Sequence, residues 1–81
     1  MKQKLIKVHP DDNVLVALTN LLKGDTVNYK GQEFILQDDI AAKHKFVTTD
    51  LQAGDIVVMY GVMVGKAQSA IPKGGIISTA I

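Results

Sequence analysis

Lys43, His44 and Lys45 place an ammonium group on each side of one of the two histidines in an 81-residue chain. Ammonium groups attract carboxylates, and an imidazole moves protons near neutral pH. Such a run suits proton transfer at an anionic substrate, with His44 as proton shuttle or metal ligand and Lys43 and Lys45 as substrate-binding cations. Strand alternation would point both lysines one way and His44 the other. A plainer reading stands beside it: His44 caps a strand through a structural hydrogen bond, and the lysines are solvated.

The other chemistry-bearing residues read as structural. His9 precedes Pro10 and is expected to be a solvent-exposed loop residue. Asp11-Asp12 and Asp38-Asp39 could ligate a hard cation, but each pair sits at a turn, where Asp bonds its own backbone. The glycines open no helix and lack phosphate-loop spacing. Met59 and Met63 are expected to pack in a core or an interface.

Three segments follow one template: "TNLLKGDTV" (Thr19–Val27), "TDLQAGDIV" (Thr49–Val57) and "SAIPKGGII" (Ser69–Ile77). Each reads as a strand that turns a corner and restarts. Thr19, Thr49 and Ser69 would bond a following amide through their hydroxyls, and Gly24, Gly54 and Gly74 would take a positive φ. "VLVAL" therefore reads as a strand over Val14–Leu18, although Val14, Leu15, Leu18, Leu21 and Leu22 also fit helical spacing. "KLIKVH" is a strand, and "DTVNYKGQEFIL" a hairpin turning at Tyr29–Gln32. "IVVMYG" reads as a buried strand with "VMVGKAQ" after it, and "DDIAAK" as one helical turn. The sum is an all-β domain of short strands with one or two single helical turns.

Composition narrows the function. A net charge of +1, with nine lysines and no arginine, argues against nucleic acid, which basic patches and guanidinium forks read. With no cysteine, disulfides and thiolate metal sites are excluded. The start lacks a signal-peptide pattern and no run approaches the ~20 apolar residues that cross a bilayer. The expectation is a cytoplasmic domain with no membrane partner. A chain this short buries only about 60% of its unfolded surface, so pairing of two copies through a strand edge is also expected.

"HKFVTTDLQAGDIVVMYG" and "VGKAQSAIPKGG" resemble the N-terminal SAF domain of the altronate/galactarate dehydratase family. The turn T-D-L-x-x-G-D belongs to SAF domains broadly; His44-Lys45-Phe46 before it, with Tyr60-Gly61 and Gly65-x-Ala67 after it, is more specific. The resemblance implies a β-clip fold over a single domain, residues 1–81, as the N-terminal part of a larger enzyme. It implies a substrate-facing or gating domain of a hydro-lyase that dehydrates altronate, or a related hexonate or hexarate, to a 2-keto-3-deoxy sugar acid. The family uses Fe(II) or Mn(II), which this domain alone is not expected to hold. The implied partners are the sugar acid and a C-terminal catalytic region, without which the 81 residues would be inactive. In the family a histidine-rich strand ending in Asn follows; here "GIISTAI" carries neither residue.

The alternative is a non-catalytic SAF module that binds carbohydrate or assists assembly. An ice-binding face is disfavoured, because Thr19, Thr26, Thr48, Thr49 and Thr79 are scattered.

Overall fold

The structure, a computed structural model, describes residues 4–77; Thr79 and the end of "GIISTAI" lie outside them. Eight short strands run in order: β1 (Leu5–Ile6), β2 (Val14–Ala17), β3 (Thr26–Tyr29), β4 (Gln32–Ile35), β5 (Lys45–Val47), β6 (Ile56–Met59), β7 (Val62–Lys66) and β8 (Ile76–Ile77). Strands β1, β2, β5 and β8 form an antiparallel sheet in that order, while β3–β4 and β6–β7 are separate hairpins. Among the described residues there is no helix.

The β-branched run Val14–Ala17 is a strand, not a helix. Its residues pair with β1 through Leu5↔Ala17 and with β5 through Leu15↔Phe46. Adjacent residues Val14 and Leu15 are both buried because they serve opposite faces of a sheet covered on both sides. Leu5, Leu15, Ala17 and Phe46 join Val27 and Phe34 in one cluster, so β3–β4 packs on that face. Val14, Val47 and Ile77 join Val57 and Ala67 in another, so β6–β7 packs on the opposite face. The rings of Phe34 and Phe46 meet edge-on, with centroids 5.8 Å apart. Burying each contributes about 2–3 kcal/mol.

Four corners, not three, build this arrangement. Gly24, Gly54 and Gly74 have φ of +88°, +92° and +86°, and Lys43 occupies the same conformation at +72°. "DDIAAK" is therefore a fourth corner in place of the expected helical turn. The two halves share one hydrogen-bonding plan: Lys43 donates to the Ala17 carbonyl as Gly74 does to Val47, and Gly24 to Leu36 as Gly54 does to Ala67. Thirty residues separate Gly24 from Gly54, and thirty-one separate Lys43 from Gly74. The extra residue is absorbed by a β-bulge between β6 and β7.

Corners meet in pairs, bridged at Leu21↔Ile40 and Leu51↔Ile71. The bonds expected of Thr19 and Thr49 come instead from the next residues, Asn20 and Asp50, and cross to the partner corner, as does one from Asp39, while the residue after Ser69 makes none. Asn20 Oδ1 accepts from Ala42 N–H (2.9 Å), Asp39 Oδ1 from Lys23 N–H (2.8 Å) and Asp50 Oδ1 from Lys73 N–H (2.7 Å). A longer Asn or Asp side chain reaches an amide that a Ser or Thr hydroxyl cannot. The fourth position of this set is Ala70, which has no acceptor to offer Ala53 N–H. Ala70→Asp is therefore expected to stabilise the domain by about 0.5–1 kcal/mol, read as a higher urea midpoint at pH 7.

The second hairpin differs from expectation in burial. Of β6 only Val57 is buried; Ile56 is 47% exposed, and Val58 and Met59 are partly covered. The reason is geometric: a two-stranded ribbon on a sheet has one covered face, so alternate residues meet solvent.

Candidate functional site

The three residues of the cationic run separate in space. Lys43 is exposed at its corner, its amide held 2.7 Å from the Ala17 carbonyl. His44 is exposed, with Nδ1 3.4 Å from the Ala42 carbonyl. Lys45 opens β5 and sends Nζ over the Tyr60 ring, 5.6 Å from its centroid. Each thus has a separate environment, and no common ligand cradle forms from them.

The His9 side chain is 45% exposed, as expected of a loop residue, yet one side of it is covered. Its ring lies against Gly61, where an added Cβ would come within 2.8 Å of the imidazole. Nδ1 accepts from Asp11 N–H at 3.1 Å. The β6–β7 turn folds back over this loop, which sequence position alone could not indicate. Three of the four paired aspartates, Asp12, Asp38 and Asp39, bond backbone amides, and Asp11 lies 3.9 Å from His9 Nδ1. Asp12 is buried and accepts from Gly61 N–H (2.8 Å) and His9 N–H (3.2 Å), and Asp38 accepts from Ile76 N–H. Among the described residues no three metal-capable side chains come together. The described residues by themselves therefore do not fit an iron or manganese ion.

A cavity of about 330 Å³ opens elsewhere, between the β3–β4 hairpin and the central sheet. Leu15 and Phe34 form its apolar floor, and Lys7, Tyr29, Lys30, Gln32 and Thr48 bring polar groups to its wall. The Tyr29 hydroxyl accepts from Lys7 N–H at 3.3 Å, tying the segment after β1 to the hairpin. Lys30 sits in a tight hairpin turn, with φ of +50° followed by +87° at Gly31, the geometry of a type I′ turn. The turn holds its Nζ 5.6 Å from the centroid of the neighbouring Tyr29 ring. No carboxylate lines the cavity, and among the described residues neither lysine forms a salt bridge. The site is thus a small cationic recess with hydroxyl and amide partners, suited to a hydroxylated carboxylate. None of its five polar residues stood out in the sequence, because they converge from three separated segments.

The family described as "Altronate/galactarate dehydratase SAF domain" matches residues 3–80. The chain belongs to this SAF-domain family. The chain is 42% identical over 69 residues to altronate dehydratase of Escherichia coli K12, a match covering 85% of this chain and 14% of the relative. Altronate dehydratase of Bacillus subtilis 168 is 35% identical over 72 residues, covering 89% and 14%. Galactarate dehydratase (L-threo-forming) of E. coli K12 is 39% identical over 70 residues, covering 85% and 13%. The chain thus spans about one seventh of the length of these relatives. The SAF domain seen here is all-β, as the repeated corners imply, and among its described residues no helix is long and apolar enough to cross a membrane.

Proposed function

We propose that this SAF domain is the substrate-facing part of a sugar-acid dehydratase acting in the cytoplasm. In this reading the cavity beside β3–β4 receives the carboxylate end of altronate, galactarate or a similar acid. The observation that carries it is the pair of unpaired lysines, Lys7 and Lys30, beside Tyr29, Gln32 and Thr48, in a domain whose relatives are sugar-acid dehydratases.

The chemistry follows from the reaction. Dehydration removes the proton α to a carboxylate and expels the β-hydroxyl, so negative charge builds on the carboxylate in the transition state. Ammonium groups already positioned beside the carboxylate stabilise that charge without having to reorganise as it develops. The Tyr29, Gln32 and Thr48 groups offer hydrogen-bond partners to a polyol chain. His44, exposed at its corner about 13 Å along β5 from Thr48, is too far to take the α-proton itself and relays protons to groups supplied by the remainder of the enzyme, with Lys43 adding positive potential beside it. The 81 residues alone bind but do not turn over.

Amide-resolved NMR titration of the chain tests this reading, with altronate, galactarate and the neutral polyol galactitol as probes. The acids are expected to shift Lys7, Tyr29, Lys30, Gln32 and Thr48 with millimolar affinity, and galactitol much less. Lys7→Ala with Lys30→Ala should weaken acid binding at least about tenfold, the loss of one good charge-assisted contact. No shifts at tens of millimolar acid would remove the cavity from the reading, and equal responses to galactitol would favour a neutral-carbohydrate module.

A further inference from the structure

A third lysine stands at the rim of the recess beside β3–β4. Lys73 holds Nζ 5.0 Å from the centroid of the Phe34 ring, and Phe34 is part of the floor of that recess. Sheet register brings Lys73 to the same end. Gly74 donates to the Val47 carbonyl and Val47 to that of Gly75, so the corner before β8 lies alongside Thr48, which also lines the recess. Lys7 follows β1 and Lys73 precedes β8, the two outer strands of the sheet. Three strand spacings separate their backbones, about 14 Å, and Leu15 and Thr48 lie between. The two lysines therefore approach the recess from opposite sides.

The backbone plan does not call for this cation. Lys43 is the corner equivalent to Gly74, and the residue before it is Ala42. Val57, the counterpart of Val27, pairs with Gly65 where Val27 pairs with Phe34. The second half thus builds the same corner and the same hairpin with neither the lysine nor the ring. Charge pairing does not explain it either. Asp50 accepts from the Lys73 amide at 2.7 Å, and among the described residues the Lys73 ammonium forms no salt bridge. The Phe34 ring fixes where the ammonium sits, and the exposed side chain leaves it open to a ligand.

We propose, taking the recess as a sugar-acid site, that Lys73 is a specificity residue selecting acids with a carboxylate at both ends over acids with one. Lys7 and Lys30, both beside Tyr29, hold the first carboxylate. Lys73 meets the second across the Leu15 and Phe34 floor. A hexonate ends there in a neutral hydroxymethyl group and gains nothing from the ammonium.

Galactarate, galactonate and galactitol share one hydroxyl stereochemistry and carry two, one and no carboxylates. Amide-resolved NMR titration of the 81-residue chain with each, at pH 7 and constant ionic strength, tests the role. Galactarate should bind at least about fivefold tighter than galactonate, and only galactarate should shift the Lys73 and Gly74 amides. Lys73→Gln, folded by its amide spectrum, should bring galactarate to within about twofold of galactonate, the advantage of two equivalent ends, with galactonate unchanged. Lys23→Gln removes the same charge at the corner bridged to Ile40 and should leave the preference intact. Equal affinity for the two acids in the wild-type chain overturns the role of Lys73, as does a preference that survives Lys73→Gln; in both cases the recess stands as an acid site. Silence of the recess towards both acids overturns the role and the site together.

Discussion

Gly74→Ala is expected to cost about 3 kcal/mol or more, whereas Gly24→Ala and Gly54→Ala should each cost about 1 kcal/mol. All three glycines share a positive φ near +90°, so each substitution carries the same left-handed strain. The difference is what surrounds them. An added Cβ at Gly24 or Gly54 meets nothing within 4 Å, but at Gly74 it would run into the Ile35 carbonyl oxygen. That oxygen is backbone, and it lies where the second half's last corner seats on the end of β4. Gly74 also donates to Val47 and accepts from Gln37, so the corner cannot simply move away. Against the ~5 kcal/mol typical of a small domain, the Gly74 variant should be largely unfolded in dilute urea while the other two remain folded. Equal midpoint losses at all three glycines would show that φ alone matters.

Asp12→Ala is expected to remove about 2 kcal/mol and to loosen the β6–β7 turn. Asp12 is the one buried charged side chain among the described residues, 5% exposed. Burial alone would raise its pKa, but N–H groups of Gly61, Tyr60 and His9, with the nearby His9 charge, outweigh it and hold the pKa below the usual value of 3.8. A carboxyl whose pKa is lower in the folded state stabilises the fold above its unfolded pKa. That contribution is lost as pH falls through the folded value. The wild-type chain should therefore lose stability below about pH 4, and part of that loss should vanish in Asp12→Asn. Urea midpoints between pH 2.5 and 7 test this, together with amide exchange at Gly61. A pH profile identical in Asp12→Asn would contradict it.

The strand at Val14–Ala17 shows how repetition outweighs local pattern. Its apolar spacing fits a helix as well as a strand, yet the recurrence of Leu-x-x-Gly or Ile-x-x-Gly ahead of strand-like pairs in three places favours the extended reading. The fourth corner escaped because Lys43 stands where the other copies have glycine. A lysine can adopt a left-handed φ when both flanking bonds are fixed, here by Ala17 and by the Asn20 bond to Ala42, but nothing in its side chain announces it. The same limit applied to chemistry. Lys43, His44 and Lys45 were conspicuous as neighbours in sequence, and the corner then sent Lys45 towards Tyr60 while leaving His44 at the surface. Lys7, Tyr29, Lys30, Gln32 and Thr48 were inconspicuous, and pairing of the hairpin on the sheet brought them to one recess.

By itself the sequence determined the all-β class, the glycine corners and the kinship to the dehydratase SAF domains. These are properties of local backbone preference and of recurring spacing, and both are written in residue order. Only the tertiary structure decided which cations share a cavity, that Asp12 anchors a hairpin tip 49 residues away, and which apolar side chains of β6–β7 meet solvent. Each of those depends on contacts between distant segments, whose geometry is set by how the two halves pack across the central sheet.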